Sequence, residues 1–122
     1  MPRTPTRSRN ERLEDILEWG AKSARYIEGL TVAQFVADEK TRDAVSKCIE
    51  VIGEAASRLL QEFPDVLTRH PDLELAAARA MRNRLSHGYF DIDPRVLWDT
   101  ITVDVPRIVE AARRALATDH FG

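Results

Sequence analysis

Between Val45 and Leu60 the residues Val45, Cys48, Ile49, Ile52, Ala55, Ala56, Leu59 and Leu60 recur at steps of three and four. That spacing gathers them on one face of an α-helix; a strand would need alternation at every second position. An apolar face this long in water must be covered by other helices, so it commits the chain to an all-α packing. The preceding segment obeys the same period. Leu13, Ile16, Leu17, Trp19 or Gly20, Ala24 and Ile27 predict a first helix from Asn10 to near Gly29, with Glu11, Glu14 and Asp15 in the turns where the helix dipole favours acid. Thr31 can cap the second helix, which holds the long stripe, has room for a bend near Ala37-Asp38 and runs through about Glu62. Phe63 ends it, because the residue before Pro64 is pushed out of the helical region.

His70-Pro71-Asp72 restarts the chain. Leu73, Ala76, Ala77, Ala80, Met81 and Leu85 predict a third helix that closes at Gly88, read as a left-handed cap. Asp93-Pro94 is a capping residue followed by proline at the first helical position, and Leu97, Trp98 and Ile101 open a fourth stripe. Pro106 costs about 3 kcal/mol in a helix interior, so a kink or break is expected near Thr102 to Val105 before Ile108, Val109, Ala112 and Leu116 continue. No segment has a convincing strand period. The expected fold is an up-and-down bundle of four to five helices over residues 10–117. A flexible basic arm precedes it at residues 1–9, which carry two prolines and three arginines, and residues 118–122 form a tail.

Composition narrows the chemistry. The 122 residues, 43% hydrophobic and 31% charged, suit one globular domain with a real core. No window of about 18 uninterrupted apolar residues is present, so no membrane span is expected. No apolar segment follows Arg9 as a secretory signal requires, so the chain is expected to stay in the cytoplasm. A single cysteine, Cys48, excludes an internal disulfide and reads as a small core residue. With three histidines and no zinc-like spacing, chemistry here is expected to be metal-free or to use carboxylates, and no cofactor is called for. A net charge of -2 and a pI near 5.9 exclude binding of nucleic acid by bulk charge, so any RNA contact must be local.

The third helix ends in Arg82-Asn83-Arg84-Leu85-Ser86-His87-Gly88-Tyr89-Phe90. An imidazole moves protons near neutral pH, a guanidinium grips phosphate through a bidentate fork, and an amide can orient either. These are the groups that cleavage of RNA through its own 2′-hydroxyl demands: a base, an acid and a cation on the crowded phosphate. On a continuous helix Arg82 and His87 stand about 140° apart, whereas Asn83 and His87 share a stripe, so Asn83 is placed to hold the imidazole while Arg79, Arg82 and Ser86 line the neighbouring stripe. A turn at Gly88 can bring His87 toward Arg82. A two-fold pairing of this helix would bring two copies of each into one cleft, so a homodimer is expected. The plainer alternative is that Arg82 pairs with a carboxylate such as Glu54 while His87 and Tyr89 merely finish a helix. Gly53, in a helix interior, signals a close helix contact. Glu54 beside it reads as a buried partner of Arg82, either orienting or simply satisfying it. His70 and His120 look like loop and tail residues, and Trp19 and Trp98 like core or interface anchors.

Arg82-Asn83-Arg84-Leu85-Ser86-His87-Gly88-Tyr89 resembles the R-x4-H-x-Y signature of the HepT-like toxins, ribonucleases of the HEPN superfamily. Ile49 to Leu59 is similar to their second-helix segment, and Asp93 to Pro106, with Leu97 and Trp98, to their C-terminal pattern. The likeness covers about residues 10–117. It implies a dimerising all-α bundle acting on RNA, in which Arg82 stabilises the scissile phosphate, His87 is the general acid/base and Asn83 supports the site; Glu54 and Ser86, from their positions beside Arg82, are expected to support it too. It implies a partner too, a MntA-like nucleotidyltransferase antitoxin of a type VII toxin–antitoxin system that would transfer AMP to Tyr89. An anionic group two residues from His87 would block RNA and repel its phosphates. The alternative is a catalytically silent HEPN module that holds a nucleotidyltransferase or a nucleotide.

Overall fold

The computed structural model describes residues 7–118, which are helical with no strand among them. Four long helices, α1 (Arg9–Tyr26), α3 (Glu39–Glu62), α5 (Leu75–Gly88) and α7 (Val105–Thr118), carry the bundle, and α2 (Val32–Ala37), α4 (Asp65–Arg69) and α6 (Pro94–Asp99) are short. α3 is central, packed on one side against α1 and on the other against α5, while α1 also packs against α7.

Residues 1–6 of the expected arm, and residues 119–122 with His120, lie outside the described residues. The last arm positions belong to α1. Ser8 Oγ accepts from the Glu11 N–H at 3.1 Å, and the Glu11 carboxylate accepts from the Ser8 N–H at 3.1 Å, a reciprocal cap that starts the helix at Arg9, itself buried. The bend expected near Ala37-Asp38 is a full break. Asp38 is extended (φ -105°, ψ 92°) and caps α3 through Thr41, whose N–H and hydroxyl donate to its carboxylate at 3.1 and 2.7 Å.

The third helix begins later than its apolar pattern suggests. A short 3-10 turn at Pro71–Leu73 leads to Glu74 in the left-handed region (φ 51°), and α5 starts beyond it. Gly88 is not the left-handed cap that its sequence position suggests. Its φ is -159°, α5 runs through it, and the chain leaves by a 3-10 turn at Tyr89–Asp91. Before Pro106 the helix does not break but widens into a π-helix at Thr100–Asp104, so that the Val105 N–H reaches back to the Thr100 carbonyl. The wider turn accommodates a residue that cannot donate to the ordinary ladder.

Two apolar clusters form the core. The larger joins Leu13 and Ile16 of α1, Ile52, Ala56 and Leu59 of α3, and Ile108, Ala112 and Ala115 of α7, with Trp19 against its edge. The smaller joins Phe35, Val45, Ile49, Leu85, Ile92, Leu97 and Ile101, and Tyr89 and Trp98 pack on it. Phe35 and Trp98 meet with ring centroids 5.3 Å apart, and Cys48 is buried and free. Between α5 and the α6–α7 arm an apolar groove of about 380 Å³ stays open, floored by Ile49, Ile52, Met81 and Ile108. No helix among the described residues is long and apolar enough to cross a membrane.

Gly53 sets the spacing of α3 and α5. A Cβ there would lie 2.4 Å from Arg82 Cβ and 2.8 Å from the Ala78 carbonyl oxygen, distances no packed side chain can hold. Gly53→Ala is therefore expected to lower stability by about 1–3 kcal/mol, read as a lower urea midpoint. An unchanged midpoint would mean that the two helices part freely.

Candidate active site

Where Gly53 draws α3 against α5, the Arg82 side chain crosses to α3. Its Nη1 donates to the Glu54 carboxylate, and its Nε and Nη2 donate to Asn83 Oδ1 at 3.2 and 2.9 Å. A guanidinium has five N–H donors. Three are engaged here, which leaves one on each terminal nitrogen of a side chain that is 24% exposed. Glu54 also accepts from Arg58 Nε at 2.9 Å, so two guanidinium groups share one carboxylate. It is 43% exposed rather than buried, because the α3 face it occupies borders an open cleft.

That cleft, about 320 Å³, is lined by Lys47, Glu50, Val51, Glu54, Arg82 and Ser86. Arg82 and Ser86 thus share a face as their four-residue spacing requires. Lys47 and Arg82 balance Glu50 and Glu54, and Arg58 behind Glu54 adds one net positive charge, a modest local attraction for a phosphate.

Asn83 is engaged by its sequence neighbour and not by the imidazole: the long arginine folds back along the helix, and its fork takes the amide oxygen that His87 would have used. His87 lies exposed in the last turn of α5 and makes no hydrogen bond among the described residues. Because α5 continues through Gly88, the imidazole stays about 140° round the helix from Arg82 and does not line the cleft. Within one chain the two groups are not brought together.

Tyr89 is the better-anchored end of the motif. Its ring packs on the smaller core cluster and its hydroxyl donates to the Asp43 carboxylate on α3. Burial, and next the neighbouring carboxylate, push the phenol pKa above its ordinary value. Sequence reasoning misses Asp43, Lys47 and Glu50, although a polar stripe at three- and four-residue steps, Asp43, Lys47, Glu50, Glu54 and Arg58, runs beside the apolar one. Among the described residues, no group of three or more His, Cys, Asp or Glu side chains could hold a metal ion.

The fold and cleft define a helical bundle with an arginine-centred pocket. Residues 16–115 match the family described as "Ribonuclease HepT-like". A protein of Thermococcus cleftensis named "Probable ribonuclease HepT" is 34% identical over 102 residues, 84% of this chain and 90% of that protein. Proteins named as RNases by inference from Methanocaldococcus jannaschii and Caldanaerobacter subterraneus subsp. tengcongensis are 32% and 31% identical, over 80% and 85% of this chain and 78% and 90% of theirs. No solved structure matches the chain significantly. The chain belongs to the HepT-like ribonuclease family of HEPN proteins.

The Tyr89–Asp43 bond gives a pH signature. A phenol whose pKa is raised on folding contributes stability that is present below its unfolded value of about 10 and is lost as pH climbs through the folded value. Wild type should exceed Tyr89→Phe by about 1 kcal/mol at pH 8. Thermal melts from pH 8 to 11 should then show the gap closing at the alkaline end.

Proposed function

We propose that this chain is a metal-independent endoribonuclease, the toxin of a type VII, HepT/MntA-like toxin–antitoxin pair, working as a homodimer. The observation that carries the reading is the state of Arg82: oriented by Glu54 and Asn83, yet with one N–H left on each terminal nitrogen to meet phosphate oxygens. Family membership supports RNA as the substrate.

The 2′-hydroxyl of one nucleotide attacks its own 3′-phosphate. A base takes the hydroxyl proton, Arg82 neutralises the charge gathering on the phosphate oxygens, and an acid protonates the departing 5′-oxygen, leaving a cyclic phosphate and a free 5′-hydroxyl. His87 serves one proton role per chain, and a second copy supplies the other. Pairing of two copies along α5 would place His87 of one chain beside Arg82 of its neighbour. Asn83, Glu54 and Ser86 hold the arginine and shape the cleft.

A MntA-like nucleotidyltransferase neutralises the toxin by moving AMP from ATP to Tyr89, with release of pyrophosphate. The modification removes the proton that Tyr89 donates to Asp43 and sets a phosphodiester anion against that carboxylate, so the turn after His87 would be forced off α3. The distance of His87 from Arg82 within one chain favours a second reading, a silent HEPN module that holds a nucleotidyltransferase or a nucleotide.

Purified wild type should cleave RNA in the presence of a chelator, and Arg82→Ala or His87→Ala should slow cleavage by about 10²–10⁴-fold. A mixed dimer with His87→Ala in one subunit should also lose activity. Intact RNA with wild type at every concentration would leave the silent module. Incubation with ATP and a cognate MntA-like nucleotidyltransferase should add AMP to wild type and not to Tyr89→Phe, by mass spectrometry.

A further inference from the structure

Phe90 is 99% exposed, the most exposed large hydrophobic side chain among the described residues. It stands in the 3-10 turn directly after the motif, three residues beyond His87. Its one ring contact is an edge-on meeting with Tyr89 at 5.5 Å and 89°, so the phenyl faces are open to water. The turn itself is not loose. Tyr89 ties it to Asp43, and one helical turn along α3 from Asp43 comes Lys47, where the Arg82 cleft begins. Asp43 and Glu54 are eleven residues apart on α3, roughly 16 Å of helix, so the turn that carries the bare ring is fastened to α3 beyond the Lys47 end of the cleft, while the guanidinium reaches Glu54 at the other end.

Charge cannot supply most of the affinity for RNA along this path. The whole chain carries -2, the four charged groups lining the cleft cancel, Asp91 follows the ring in sequence, and Asp43 holds the tyrosine before it. A neutral π-face is the surface in this region that can hold a nucleobase without help from charge, and such stacking tolerates any base. We propose that Phe90 is a stacking platform for a nucleobase of the substrate strand, some nucleotides along from the phosphate held at Arg82, and that it makes single-stranded RNA the preferred substrate. The proposal rests on the ribonuclease reading. Bases in a duplex are stacked on one another and offer no free face to a protruding ring, whereas an unpaired strand does.

The experiment uses the full chain with His87→Ala to prevent turnover, and a short mixed-sequence oligoribonucleotide, either single-stranded or annealed to its complement. Phe90→Ala should weaken single-strand binding by about 5- to 100-fold, and Phe90→Trp should restore it. The dependence of binding on salt should not change, since no charge is removed. Duplex binding should be weak and indifferent to the substitution. Equal single-strand affinity with and without Phe90→Ala overturns the stacking role, as does a Phe90→Ala protein whose sedimentation shows a lost assembly, which assigns the ring to a protein interface. Failure of the wild-type chain both to bind and to cleave RNA removes the ribonuclease reading itself, whereas intact cleavage with an indifferent Phe90→Ala removes stacking alone.

Discussion

The contact between α3 and α5 at Gly53 governs both the fold and the site. With no side chain on Gly53, the Arg82 backbone comes close enough that its own Cβ occupies the space a Cβ on Gly53 would need. The closeness brings the next residue on α3, Glu54, within reach of the guanidinium. A glycine in a helix interior costs about 1 kcal/mol against alanine. Here that cost is offset by packing on both helices, and the same closeness permits the ion pair that links α3 to the motif.

The ion pair is better understood as a device for direction than as a source of stability. Pairs this exposed contribute little to folding, because water screens them and ordering two long side chains costs entropy. What Glu54 and Asn83 do is hold the planar fork in one orientation, with Arg58 sharing the carboxylate so that the arginine's charge is not wholly cancelled. An arginine held this way loses less freedom on meeting an anion than one waving in solvent.

Much of the architecture is legible in the sequence because the period of apolar residues is unambiguous: the stripe from Val45 to Leu60 is buried along most of its length, and helices stand where the stripes predict them. The pairing of Arg82 with Glu54 is legible too, from an acid beside a glycine on an apolar face. So is the separation of His87 from Arg82, which follows from helical geometry alone. The departures share a cause, which is that backbone geometry at ends of helices depends on neighbours distant in sequence. Gly88 has the composition of a left-handed cap, but the Tyr89–Asp43 bond pulls the chain into a 3-10 turn instead. Ser8 has the look of a polar tail residue, since its role depends on Glu11 answering it. Spacing alone assigns Asn83 to His87, and the reach of an arginine side chain is not a matter of spacing.

The π-helix at Thr100–Asp104 has a consequence for how the two core clusters relate. An added residue in a helical turn rotates everything after it by about 100° relative to what came before. Leu97, ahead of the wide turn, and Ile101, in its first residues, face the smaller cluster that supports Tyr89, while Ile108, Ala112 and Ala115, beyond it, face the larger one that holds α1 and α3. A single run of chain from Pro94 to Thr118 is thereby a two-phase strut, one phase bracing the bundle and the other the motif. Deleting one residue from the wide turn would leave a regular helix that could satisfy only one of its two faces.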